Sequence, residues 1–164
     1  PYAAHYRRFG QTYHVQHQLE SVALKGKSIP RSAALVEAMF MAELKNLLLT
    51  AGHDRDSIRG ELALDVASGT EAYTSLSGTE RVAKAGDMLI RDELGILSSI
   101  LIGPDRRTRI APTTTRVLFT VYAPAGIPQE RLRAHLSDLT EFVLAVSPGA
   151  AVELLDLVEA PLGG

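Results

Sequence analysis

Lys27-Ser28-Ile29-Pro30-Arg31-Ser32-Ala33-Ala34-Leu35-Val36-Glu37-Ala38-Met39-Phe40-Met41-Ala42-Glu43-Leu44-Lys45-Asn46-Leu47-Leu48-Leu49-Thr50-Ala51-Gly52-His53-Asp54 is the stretch around which the chain is organised. Its middle reads as one long helix. Pro30 lies just upstream, and the Ser32 hydroxyl is placed to accept from an orphan N–H of the first turn. Leu35, Met39, Ala42, Asn46 and Leu49 run down one face, and Val36, Phe40, Leu44, Leu47 and Leu48 cover its neighbours. A helix apolar over so much of its surface is expected to pack on more than one side. Gly52 stands where a left-handed C-terminal cap is expected, which would hold His53-Asp54 at the helix end.

The 164 residues suffice for a single domain, expected to span 1–164, with its own core. Hydrophobic residues make up 46 %, ordinary for a globular protein, and no apolar run is long enough for a membrane span. The chain opens on Pro1-Tyr2-Ala3-Ala4 without Met, as a trimmed form would, and shows no basic-then-apolar signal segment. A cytoplasmic protein with no membrane partner is expected. Cysteine is absent, which excludes disulfides, thiolate metal sites and thiol nucleophiles. The formal net charge of −2 means that any contact with nucleic acid must be a local basic patch.

Residues 1–10 form an aromatic and basic leading segment. Thr12 to His17 alternates as a strand would, which sends His14 and His17 to opposite faces and argues against a two-histidine metal site. Gly26-Lys27-Ser28 is a near miss to a phosphate loop, but Ser21 stands where the motif has its first glycine. It reads as a flexible basic turn. Short strands follow over residues 61–67, 73–76, 80–83, 88–91, 96–102 and 117–122, separated by Gly-, Ser- and Asp-rich turns. Gly95 closes the Asp92-Glu93-Leu94-Gly95 hairpin. The densest basic run is Arg106-Arg107-Thr108-Arg109. Leu132, Leu136, Leu139, Phe142 and Val143 recur at helical spacing, Ser147-Pro148-Gly149 ends that helix, and Val152 to Val158 reads as a closing strand. Helices bracketing a run of hairpins imply an α+β fold with a largely antiparallel sheet. The core helix is expected to pack on the strands around 62–66, 96–102 and 117–122.

Several features recur in a fixed order: the helix ending in Gly52-His53-Asp54, Leu76-Ser77-Gly78-Thr79-Glu80, Ala85-Gly86-Asp87-Met88-Leu89-Ile90-Arg91-Asp92, the strand from Ile96 to Ile102 with Gly103, and Thr113 to Phe119. This set resembles the B3/B4 domain of the bacterial phenylalanyl-tRNA synthetase β subunit, which also occurs as a stand-alone protein. In the synthetase that domain houses the editing site, which hydrolyses tyrosine wrongly attached to the phenylalanine tRNA. The resemblance therefore implies an aminoacyl-tRNA ester as substrate class, a tRNA acceptor end as partner, and no cofactor. Its pocket histidine matches His53. The small residues at the end of its inner strand match Ser98, Ser99 and Gly103. Its pocket Thr-Asn pair falls near Met41 and Ala42, or two residues earlier, at apolar positions, and Thr120 stands in place of the carboxylate that recognises the tyrosine hydroxyl.

These residues define a candidate site. His53 would bind an ester or amine, or position water as general base. Asn46, Ser98, Ser99, Gly103 and Thr120 would line the ligand pocket. Lys27, Arg106, Arg107 and Arg109 would grip a phosphate or carboxylate, since guanidinium matches both. His53, Asn46, Ser98, Ser99, Arg107 and Arg109 are expected to converge at the end of the core helix, and Asp54 to cap the next turn. The alternative reading is a non-catalytic module for an amino-acid-like small molecule.

Overall fold

The computed structural model describes residues 1–13, 15, 20–22, 24–25 and 33–158. His14, His17, Lys27, Pro30 and Ser32 lie outside them. The architecture is α+β. Helix α1 covers Tyr2–Arg8, α2 Ala34–Asn46 and α3 Gln129–Val146. The strands are β1 Thr50–Asp54, β2 Ala63–Val66, β3 Ala72–Thr74, β4 Glu80–Val82, β5 Met88–Asp92, β6 Gly95–Ser99, β7 Gly103–Pro104 and β8 Val117–Val121. They form three antiparallel sheets: β1 with β8, the four-stranded β2-β5-β6-β7, and the hairpin β3-β4.

Three expectations are corrected. The core helix stops at Asn46, where Leu47 takes the left-handed conformation (φ 53°) and its N–H returns to the Glu43 carbonyl. The chain then runs straight into β1, so Gly52 and His53 lie in a strand. Gly52 is needed for close approach: a Cβ there would stand 2.7 Å from Ile110 Cδ1 and 3.1 Å from Met39 Sδ. The sequence Thr-Ala-Gly-His-Asp has little strand propensity; its pairing with β8 through all five residues makes it one. Consequently β8 belongs with β1 and not with β2 and β6. Second, Thr12 and Tyr13 are not in a strand and Val15 is helical. The Tyr13 ring stacks on Tyr2 at 4.5 Å and its hydroxyl donates to the Leu47 carbonyl, tertiary contacts that override the local alternation. Third, Val152 to Val158 finds no partner strand among the described residues.

Helix α2 packs on α3 and on β1, with Ala38, Ala42 and Glu43 buried and Met41 exposed. Its last turn is tied to α3 through Asp138, which accepts from Lys45 and from the Asn46 side-chain amide. Tyr2, Tyr6, Val15, Leu48, Leu49, Ala51, Ile100 and Tyr122 form one core, and Ala67, Tyr73, Ala83, Leu89 and Ile96 a second under the β3-β4 hairpin. Helix α1 is built into the first: the Tyr2 hydroxyl donates to the Tyr122 carbonyl and accepts from Leu49 N–H, and Tyr6 donates to the Ile100 carbonyl.

Glu43 is buried at the α2–β1 reversal, where it accepts from Thr50 N–H at 2.7 Å. The Thr50 hydroxyl in turn lies 2.8 Å from His135 Nε2 on α3. Burial pushes the Glu43 carboxyl up to about 8, and the Thr50 N–H only partly opposes this. Between its unfolded value of 4.5 and about 8 the folded chain therefore holds a proton that the unfolded chain has released. This group lowers stability as pH rises through that window, by at most about 1.4 kcal/mol per pH unit. Glu43→Gln removes the slope. In urea denaturation the variant gains steadily on the parent from about pH 6 to about pH 8; parallel curves would mean that Glu43 is ionised in the fold.

Candidate functional site

Thr50 to His53 of β1 are all buried, and Asp54 at its end is half-buried. His53 points inward and is 0 % exposed. Its Nδ1 lies 2.8 Å from the Thr108 hydroxyl and its Nε2 3.2 Å from that of Ser98. The Thr108 hydroxyl donates to the Asp105 carboxylate, so its oxygen is left to accept from His53 Nδ1–H. Nε2 then accepts from Ser98, and the Tyr122 hydroxyl, 2.6 Å from Ser98 Oγ, shares its one proton between that oxygen and the Ser98 carbonyl at 3.0 Å. One chain of donors thus runs from Tyr122 through Ser98, His53 and Thr108 to Asp105. Burial lowers the His53 pKa to about 4, helped by the nearby Arg107 charge and opposed by Asp92. The ring is neutral at physiological pH, as the chain requires.

Thr108 is buried, while Arg107 and Arg109 on either side of it in the turn are exposed. Arg107 holds the loop down. It donates in bidentate fashion to Asp92 at 2.9 and 3.0 Å, donates to the Ser57 carbonyl, and lies 3.4 Å from Asp105. Asp92 also accepts from the N–H groups of Arg59, Leu94 and Gly95. Burial pushes the Asp92 pKa up, but Arg107 and these N–H groups outweigh it and hold the carboxyl below its usual range. Arg106 donates its N–H to Thr74, and its guanidinium lies over Gly78, where a Cβ would come within 3.0 Å of it. Neither the Arg106 nor the Arg109 guanidinium has an ion-pair partner among the described residues.

These arginines line a groove of about 530 Å³ with Asp54, Ser57, Thr74 and Ala111. Asp54 caps the short 3-10 turn Arg55–Ser57 by accepting from Asp56 N–H, as expected, and accepts from the Thr114 hydroxyl. His53 and Ser98 stand behind the groove wall. Ser99 faces the second core, beside the Tyr73 hydroxyl, which donates to the Gly103 carbonyl. Thr120 lies on β8 opposite Ala51. Asn46 is held by Asp138 at the α2–α3 contact. The expected convergence of all six residues on one pocket is therefore corrected: Arg107 and Arg109 share the groove, His53 and Ser98 support it, and Asn46 and Ser99 belong elsewhere. Lys27 lies outside the described residues. Among these, no three His, Asp or Glu side chains gather as a metal would need, and no helix is long and apolar enough to cross a membrane.

Comparison with known proteins finds relatives of the chain. Over 130 residues, 72 % of the chain, it is 31 % identical to the phenylalanine–tRNA ligase beta subunit of Anaeromyxobacter dehalogenans. Over 132 residues, 78 % of the chain, it is 30 % identical to the same subunit of Oleidesulfovibrio alaskensis. This chain is a phenylalanyl-tRNA synthetase beta-like, B3/B4-like domain. A shorter match of 69 residues is 35 % identical to the subunit of Mycoplasma genitalium. The matched part of the B3/B4-like chain spans between 9 % and 16 % of the length of these subunits. No family model matches the chain.

Asp105, Thr108 and Tyr122 are the site residues that sequence reasoning missed in this B3/B4-like domain. The signal available was the small hydroxyl of Thr108 between two guanidinium residues, Arg107 and Arg109. Thr108→Val removes both the donor to Asp105 and the acceptor for His53 at nearly constant volume. It is expected to cost about 1–3 kcal/mol in urea denaturation, and Thr108→Ser to recover most of this. An equal loss in both variants would make the methyl group, and not the hydroxyl, the stabilising element.

Proposed function

We propose that this B3/B4-like domain, spanning 1–164, binds the acceptor end of a tRNA through the groove lined by Arg106, Arg107 and Arg109. The observation that carries this reading is that Arg106 and Arg109 line a concave surface without ion-pair partners among the described residues. A phosphate would meet both through charge-assisted hydrogen bonds. The relationship to a tRNA ligase subunit supports the choice of tRNA over other anions. A chain of formal charge −2 would rely on this local patch.

Hydrolysis of a mischarged aminoacyl-tRNA is the finer reading. The neutral, enclosed His53 ring has both nitrogens engaged and is a poor general base. In this proposal it is a positioning residue for the arginine loop, and the geometry supports binding ahead of turnover. A second reading, an amino-acid-like ligand, is favoured by Asp54 lining the same groove as Arg109, which would suit an ammonium and a carboxylate together.

Filter binding of tRNA at two salt concentrations, with a panel of mischarged tRNAs followed for deacylation, tests the proposal. Arg109→Ala is expected to weaken tRNA binding by about 1–3 kcal/mol and to reduce the salt slope by about one. Unchanged binding in the Arg106→Ala, Arg109→Ala double variant would remove the reading. Calorimetric titration with free amino acids alone would then decide for the small ligand.

A further inference from the structure

Among the described residues, strand β2 is the outer strand of the four-stranded sheet, hydrogen-bonded on one side to β5. All four of its residues are exposed. Leu62, Leu64 and Val66 share one face at 42, 44 and 61 % exposure. That face continues the apolar surface of Met88 and Ile90 on β5, which pack on the first core. Ala67 N–H donates to the Asp87 carbonyl, so by antiparallel alternation Asp65 and Ala63 bond inward to β5 while Leu62, Leu64 and Val66 present their backbone groups to the open edge. An edge that has no partner strand among the described residues and carries three apolar residues is a pairing template.

We infer that β2 pairs with β2 of a second copy of this chain, antiparallel about a two-fold axis at Leu64, through an isologous interface. The sequence is complementary to itself in this register. Leu64 meets the partner's Leu64, Leu62 meets the partner's Val66, and Ala63 meets the partner's Asp65. On the polar face Arg91 stands directly across β5 from Ala63. Two strand spacings, about 10 Å, then separate the backbones of Arg91 and the partner's Asp65, with only the Ala63 methyl between. Arg91 spends Nε on its own Asp65 at 2.9 Å, and its terminal nitrogens carry no other hydrogen bond among the described residues. In one copy, Asp65 Oδ1 occupies the outward N–H of Val66 at 2.8 Å. In the pair, that N–H goes to the partner's Leu62 carbonyl and the carboxylate turns to the partner's Arg91. Two Asp65 and two Arg91 side chains alternate across the junction, and no like charges meet. The interface is independent of the arginine groove and of the function proposed for it.

Sedimentation of the 164-residue chain tests this. The expected result is a reversible dimer whose Leu64→Lys variant sediments as a single chain, while Leu154→Lys, another exposed leucine, stays dimeric. Circular dichroism checks that each variant is folded. Asp65→Arg and Arg91→Asp are each expected to weaken the dimer at least tenfold. A mixture of the two is expected to restore it, because each cross-strand pair regains opposite charges although both intrachain pairs stay broken. Amide exchange at residues 62–66 is expected to slow as concentration rises. A single-chain mass at every concentration, as for an edge that awaits a different partner, overturns the inference. So does a dimer that survives Leu64→Lys, or a mixture no tighter than its components.

Discussion

The hydrogen-bond chain from Tyr122 through Ser98, His53 and Thr108 to Asp105 ties four separate segments into one unit. Tyr122 directly follows β8, Ser98 is on β6, His53 on β1, and Asp105 and Thr108 in the arginine loop. Each member is buried, so each unmade bond would leave a desolvated polar group. The chain is also directional. Asp105 can only accept, which fixes the Thr108 proton, the His53 tautomer and the Ser98 proton in turn. Burial, helped by the Arg107 charge, keeps the imidazole neutral, and neutrality lets Nε2 accept from Ser98. The loop that carries Arg106, Arg107 and Arg109 rests on this unit from inside and on the Arg107–Asp92 pair from outside.

The same economy separates binding from support. Arg107 is committed to Asp92, Ser57 and Asp105, and so shapes the groove more than it serves a ligand. Arg106 and Arg109 have no ion pair among the described residues. At the far end of β1 a second buried polar centre, Glu43–Thr50–His135, fixes the same strand against α2 and α3. Two neutral buried centres therefore bracket the strand: His53 has its pKa lowered and Glu43 has it raised, both chiefly by burial.

Much of the β region was legible in the sequence because its punctuation is local. The hairpin at Asp92-Glu93-Leu94-Gly95 and the alternation in β2, β5 and β8 follow from turn residues and apolar spacing. The α2–β1 boundary was not. Leu47-Leu48-Leu49 continues the apolar pattern of the helix, and nothing in its composition announces the left-handed turn at Leu47. That single displacement turned Gly52 from a cap into a packing residue and His53 from a helix-end group into a strand residue. The arginine run was visible as charge, and Arg106, Arg107 and Arg109 line one groove. The Thr108 and Asp105 partnership was hidden, since it depends on β1 approaching the loop from a distant part of the chain.

The protonation state of His53 tests the central claim most directly. Long-range proton–nitrogen correlation spectra of the imidazole side chains, with His53 assigned through its Gln variant, report the tautomer and its titration. The structure requires a neutral ring protonated at Nδ1 that stays neutral at about pH 6. A ring protonated at Nε2, or one titrating near the ordinary value of 6.5, would contradict the directional chain and the support it gives to the arginine loop.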